Sequence, residues 1–309
     1  MIEIIGFTKI YESLTAVDRL NLNIEEGDVF GLIGPNGAGK TTTFRFLATL
    51  LLPTRGIARI AGYDVVRQVR DVRRSMGYMP DSFGVYYGMR VWEFLDFFAA
   101  SYGISRYRRR RIIDDLLELL DLGHRRNDAV QALSRGMTQR LCLAKTLVHD
   151  PPVLILDEPA SGLDPRARIE IKELIRELRS MGKTILISSH ILHELADICT
   201  HVGFIEGGKL LAAGDLQRIL EEIRSHQILE IRVIGAERRE MERALGDNAD
   251  VTDIRCDNGV WVVDFTGDDE AQAQLLASLL ERGITVQEFH QRRVNLEEAF
   301  IKITRGEVT

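Results

Sequence analysis

A chain of 309 residues, 45% hydrophobic and 28% charged, carries enough apolar material for about two globular domains. No stretch approaches the ~18 consecutive apolar residues of a bilayer span, and the opening MIEIIGFTKIYE lacks the basic start and apolar centre of a secretory leader, so a cytoplasmic chain without its own membrane span is expected. The net charge of −6 is uneven: residues 225–309 carry 10 basic and 17 acidic side chains, leaving +1 for residues 1–224, and neither part has the basic excess of a nucleic-acid binder.

In chain order, β-type runs at Ile2–Ile5, Leu20–Ile24 and Val29–Ile33 open the sequence, and the last enters a glycine-rich turn before a helix expected over Thr41–Leu51. Pro53 and Gly56 end that helix. A polar stretch leads to two helical patterns, Val91–Tyr102 and Arg108–Leu120, which belong to a helical insert over about 82–150. Val153–Leu156 and Thr184–Ser188 read as apolar runs of the kind found in parallel strands covered on both faces, with a helix over Arg166–Arg179 between them. The first part, residues 1–224, is therefore expected to be α/β, and a helix is expected near Asp215–Arg224. The pattern then restarts over 225–309. Strand (Leu229–Ile234), helix (Glu237–Leu245), strands (Val251–Arg255, Val260–Phe265), helix (Glu270–Arg282) and strand (Thr285–Phe289) give the β-α-β-β-α-β order of a small α+β, ferredoxin-like domain.

Gly34-Pro35-Asn36-Gly37-Ala38-Gly39-Lys40-Thr41, with Thr42 following, matches G-x-x-x-x-G-K-[ST] between a strand and a helix. Glycines let the backbone wrap a phosphate so that N–H groups and the helix N-terminus point at its oxygens. Lys40 is placed to reach the β- and γ-phosphates and the Thr41 hydroxyl to bind Mg²⁺. The run Leu154-Ile155-Leu156-Asp157-Glu158 delivers two carboxylates at the end of an apolar strand, where ligands sit in open parallel sheets. Asp157 is read as the carboxylate that holds Mg²⁺ through water and Glu158 as the group that orients and deprotonates the attacking water.

These two motifs describe a nucleotide hydrolase in general. A third narrows the class: Leu133-Ser134-Arg135-Gly136-Met137, followed by a helix with Met137, Leu141, Ala144 and Val148 on one stripe, resembles the LSGGQ signature of ABC ATPases. The resemblance covers residues 1 to about 220 and implies a P-loop ABC cassette, with a mixed sheet core and a helical subdomain, that binds ATP and Mg²⁺. It further implies that Tyr11 stacks on adenine, that Ser161-Gly162-Leu163-Asp164 is the D-loop with Asp164 near nucleotide, and that His190 is the switch histidine. Cassettes of this family pair head to tail around two ATP molecules, so Ser134 and Gly136 are expected on the γ-phosphate held by the partner's loop, where a helix start suits an anion. The family also implies a membrane permease as partner and a peripheral place on the cytoplasmic face of the membrane. The closing Asn295–Thr304 resembles the ending of ATPase subunits from exporters of drugs, sodium or polysaccharides, and that ending is what points to export.

Asp81, in Gly77-Tyr78-Met79-Pro80-Asp81, departs from the family's pattern by standing at the Q-loop position in place of Gln. In the family, Gln there contacts Mg²⁺ and the lytic water while linking the core to the helical insert. Asp81 takes that catalytic place, but Asp is shorter and anionic, so it can hold Mg²⁺ through water and cannot donate a hydrogen bond. Arg135 and Met137 are departures that the family's drug- and lipid-type exporters share. Other features invite plainer readings. His190, His193, Glu194 and His201 lack zinc-ligand spacing, and Cys142, Cys199 and Cys256 are scattered without a C-x-x-C. Trp92, Phe94, Phe97 and Phe98 are expected to fill the core of the insert, and Arg106 with Arg108–Arg111 forms a basic run, a solvated helix end or a contact with a membrane partner. A soluble ABC ATPase acting on nucleic acid or ribosomes usually has two cassettes in one chain, long coiled coils or zinc modules, none of which occurs in the sequence.

Overall fold

Apolar continuity and alternation sort the strands of this chain into three sheets in a computed structural model that describes residues 1–82, 84, 88–191, 195–216, 227–235, 238–257 and 259–292. The chain divides into two compact units, Met1–Gly214 and Asp215–Thr309. The expected boundary at 224/225, the helix expected near it beyond residue 216, His193, Glu194 and the ending Asn295–Thr304 lie outside the described residues.

In the first unit, β1 (Ile2–Tyr11), β2 (Leu14–Ile24), β4 (Arg55–Ile60) and β5 (Tyr63–Asp64) make an antiparallel sheet in the order β2-β1-β4-β5. A second sheet runs β10 (Lys209–Asp215), β9 (His201–Glu206), β3 (Val29–Ile33), β8 (Thr184–Ser189), β7 (Val153–Leu156), β6 (Met76–Met79), and β9, β3, β8, β7 and β6 are parallel throughout. Every residue of β3, β7 and β8 is buried, as expected of strands covered on both faces. Helix α1 (Lys40–Leu47) packs in one apolar core with both sheets, where Phe7 and Phe46 stack at 4.1 Å. It stops short of the expected Leu51 because Thr49 takes a left-handed conformation (φ 61°), which turns Leu50 and Leu52 outward.

After α2 (Val69–Ser75), three helices form the insert: α3 (Val91–Ser101), α4 (Arg106–Leu119) and α5 (Arg135–Leu147), each touching the other two. Phe94, Leu95, Ile113, Leu117 and Leu141 are buried in it. The four aromatics do not share that role: only Phe94 is fully buried, Trp92 and Phe98 are half-buried and Phe97 is 48% exposed. Nor is the arginine run one solvated patch. Arg109 turns inward, its Nε and Nη2 donating to the two Asp96 carboxylate oxygens at 2.6 and 3.3 Å and its Nη1 to Ile104 O at 3.0 Å, which ties α4 to α3. Helix α6 (Pro165–Ser180) follows β7 and lays Ile171, Ile175 and Leu178 into the core.

In the second unit, β11 (Gln227–Ile234), β12 (Val251–Asp257), β13 (Val260–Phe265) and β14 (Thr285–Arg292) pair antiparallel in the order β12-β13-β11-β14, with α7 (Arg238–Gly246) and α8 (Asp269–Glu281) between strands in sequence. Alternate residues of β13, Trp261, Val263 and Phe265, are buried with Met241 of α7 and Leu275 and Leu279 of α8. Asp268 starts α8 by accepting the Ala271 N–H at 2.9 Å.

Candidate functional site

The loop between β3 and α1 sets the site. Gly39 precedes α1 with φ +107°, and a Cβ there would lie 2.6 Å from Ala16 O, so this turn into the helix requires glycine. The turn exposes the first N–H groups of α1 on a cavity of about 470 Å³. Lys40 is only 6% exposed, and its Nζ donates to Gly34 O at 2.6 Å and Pro35 O at 3.2 Å while lying 3.4 Å from Glu158 Oε1. A buried ammonium held by two carbonyls and a carboxylate is a fixed positive centre.

Strand β7 brings the acidic pair to the same place. Asp157 is fully buried; its N–H donates to Met79 O at 2.8 Å and its Oδ1 accepts from Ser188 Oγ at 2.7 Å. Its Oδ2 is buried with no hydrogen-bond partner among the described residues. Burial pushes the Asp157 carboxyl above the usual range, and the hydroxyls of Ser188 and Thr41 oppose that shift. An orphaned buried carboxylate oxygen beside a threonine hydroxyl fits a hard divalent cation such as Mg²⁺.

Glu158 takes φ 50°, a left-handed conformation that costs a β-carbon residue about 1 kcal/mol. Its N–H donates to Ser188 Oγ at 2.8 Å, and its Oε2 lies 2.8 Å from His190 Nδ1. The carboxylate is thus held between Lys40 and His190 at the cavity wall. Ser188 fixes both acidic residues at once and was not among the residues read from the sequence. Its signal was visible: β8 ends Ser188-Ser189 after an apolar run, with hydroxyls at the ligand end of a buried parallel strand, so β8 is not wholly apolar.

The expected nucleotide residues fall into two groups. Tyr11, Asn36, Gly37, Ala38, Gly39, Lys40, Thr41, Thr42, Asp81, Glu158 and His190 line one cavity, together with Leu14, Ala16 and Ser161. Gly34 and Pro35 reach it through the carbonyls that bind Lys40. Tyr11 is 41% exposed, with the Lys9 ammonium 4.9 Å from its ring centroid. Ser134, Gly136 and Asp164 do not line that cavity. Ser134 is the exposed N-cap of α5, accepting the Met137 N–H at 3.3 Å, and Asp164 is the N-cap of α6, accepting the Ala167 N–H at 3.0 Å. A Cβ on Gly136 would lie 3.4 Å from the Cβ of Ala167, so the two helix starts lie side by side.

Among known proteins, residues 17–161 match the family described as ABC transporter. The Nod factor export ATP-binding protein I of Cupriavidus metallidurans is 35% identical over 300 residues, which cover 97% of this chain and 96% of that protein. The daunorubicin/doxorubicin resistance ATP-binding protein of Streptomyces peucetius is 35% identical over 305 residues, 98% of this chain and 92% of that one. A solved ATP-binding subunit of an ABC transporter superposes with a TM-score of 0.66 at 29% identity, covering 72% of this chain and 93% of its own.

Proposed function

Since the chain belongs to the ABC transporter ATP-binding subunits, which hydrolyse ATP to drive transport through a membrane permease, we propose a residue-level mechanism, a partner arrangement and a direction for it. The N–H groups of residues 37–42 and the Lys40 ammonium bind the β- and γ-phosphates, and Tyr11 stacks on adenine. Thr41, Asp157 and Asp81 are the residues that would hold Mg²⁺. When bound, Mg²⁺ neutralises charge on the phosphate oxygens. Glu158 accepts the proton of the attacking water as that oxygen bonds to the γ-phosphorus and the bond to the β,γ-bridging oxygen breaks. His190 fixes the Glu158 carboxylate through the 2.8 Å contact. The single observation that carries this is the convergence of Lys40, Glu158 and His190 on one cavity that the phosphate loop also lines.

Ser134, Gly136 and Asp164 supply the second half of a site. They sit away from the cavity of their own chain and offer a helix start suited to an anion, which supports a head-to-tail pair in which each copy closes the other's nucleotide. Asp81 lies on the cavity and follows β6 into the insert, so it joins the nucleotide to the region we assign to permease contact. Asp81→Ala is expected to lower permease-stimulated hydrolysis more than basal hydrolysis. Equal losses in a paired assay with and without permease would show that Asp81 serves the metal alone.

We assign residues 1–224 to the cassette and 225–309 to an accessory domain of ferredoxin-like topology, a reading supported by its antiparallel strand order and its two helices. Export is supported by relatives named for Nod factor export and for drug resistance. Among the described residues no helix is long and apolar enough to cross a membrane. Membership of a family whose ATP-binding subunits act with a membrane permease is what supports a peripheral place on the cytoplasmic face. The contact is placed between Tyr78 and Arg111, where Phe97 is exposed. Co-sedimentation tests this: the chain should pellet with permease-containing liposomes and not with protein-free ones. Reversing Arg108 and Arg110, both exposed, should leave pelleting salt-insensitive; loss of about 1 kcal/mol per charge that also weakens with salt would mean direct lipid attraction instead.

A further inference from the structure

Two nucleotide-facing elements of this chain meet at one side chain. Arg135 follows Ser134 at the start of α5, and its Nη2 donates to Ser161 O at 3.2 Å. The guanidinium lies against Gly162, where φ is +66° and a Cβ would fall 2.1 Å from Nη2 and 2.3 Å from Cζ. Only glycine leaves room for that contact. Ser161 lines the nucleotide cavity, and its N–H donates to Glu158 O at 3.0 Å. Two hydrogen bonds therefore run from the first turn of α5 through Ser161 to the backbone of Glu158. Ser134 and Gly136, on either side of Arg135, are, with Asp164, among the expected nucleotide residues that do not line their own chain's cavity.

We propose that Arg135 is a positioning residue that couples the two nucleotide sites of a paired molecule. Resting on the reading that Ser134 and Gly136 seat the partner's γ-phosphate, the consequence is mechanical. An anion at the start of α5 fixes that turn, and Arg135 then holds Ser161 and the Glu158 backbone in this chain's own cavity. Loading one site thereby prepares the other, and the coupling is an equilibrium quantity that cooperativity reports. A guanidinium that merely filled space over Gly162 would leave cooperativity untouched.

The experiment is steady-state ATP hydrolysis against ATP concentration for wild type, Arg135→Ala and Arg135→Lys, with equilibrium binding of a fluorescent ATP analogue to dilute chain alongside. The wild type should show a Hill coefficient above 1. Arg135→Ala should bring it to about 1 and lower kcat by roughly three- to tenfold, while analogue binding to dilute chain stays within about twofold. Arg135→Lys should recover both losses, because an ammonium also donates to the Ser161 carbonyl. Gly162→Ala, which pushes the guanidinium away from Ser161, should reproduce the loss of cooperativity. A wild-type Hill coefficient of 1 overturns the proposal, as does a fall in kcat for Arg135→Ala with the Hill coefficient unchanged. Failure of the underlying reading looks different: the ATP-trapped dimer of Glu158→Gln would then survive addition of Ser134→Ala or Gly136→Glu.

Discussion

Glu158→Gln is expected to keep ATP binding and to slow turnover by about 10²–10⁴, or roughly 3–5 kcal/mol of barrier. Gln preserves the shape of the side chain and a hydrogen bond to His190 Nδ1, but it cannot take the proton of the attacking water. It also removes the negative charge 3.4 Å from Lys40 Nζ, so the phosphates meet less repulsion and binding holds or tightens. ATP should then trap a dimer, visible as a doubled mass by size-exclusion chromatography with light scattering. Near-wild-type turnover would remove Glu158 from its role as base.

Asp157→Asn should separate stability from activity. The amide keeps the size of the carboxyl and can still accept from Ser188, yet it carries no charge and places a donor where the orphaned Oδ2 stands. Since burial raises the Asp157 pKa, the ionised carboxylate is costly there until a divalent cation offsets it. Turnover should fall by about 10³, close to 4 kcal/mol of barrier, for want of that cation. Without Mg²⁺ the variant should melt at or above the wild-type temperature, and the rise in Tm that Mg²⁺ with ATP gives the wild type should disappear. A variant that retained the Mg²⁺-dependent rise and turned over normally would place the metal elsewhere.

The phosphate loop and the acidic pair were legible because each is local. A strand, a turn that needs glycine and a helix start fix Lys40 within one loop, and Asp157 and Glu158 follow directly from β7. What brings them together is not local. The contact of Glu158 with His190 and Lys40 depends on β7, β8 and β3 lying side by side, a pairing that strand periodicity does not specify. Elements were missed where the pattern is short or masked: β4 hides its inward Ala58 and Ile60 between arginines, and β6 is the four residues Met-Gly-Tyr-Met without a branched apolar side chain. Strands β9 and β10 escaped for the same reason, since charged and glycine residues interrupt them. Arg109 looked like a surface charge because its partner, Asp96, lies on another helix. Aromatic character alone places Phe97 in the core, yet on α3 it is 48% exposed while Phe94 is buried. The strands of the second unit, by contrast, followed from the alternation that buries one face of β13.

If catalysis occurs at sites shared by two copies, with Lys40 from one and Ser134 from the other, two inactive chains should restore each other when mixed. A Lys40→Ala chain cannot hold the phosphates and a Ser134→Arg chain cannot close over its partner's nucleotide, so each homodimer should be silent. In a head-to-tail heterodimer both defects fall in one site and the other site is intact. An equimolar mixture should therefore recover at most about a quarter of wild-type turnover, from random pairing with one working site per heterodimer, and less by the roughly three- to tenfold that losing the coupling through Arg135 costs. A mixture no more active than the two chains measured apart would contradict the shared site.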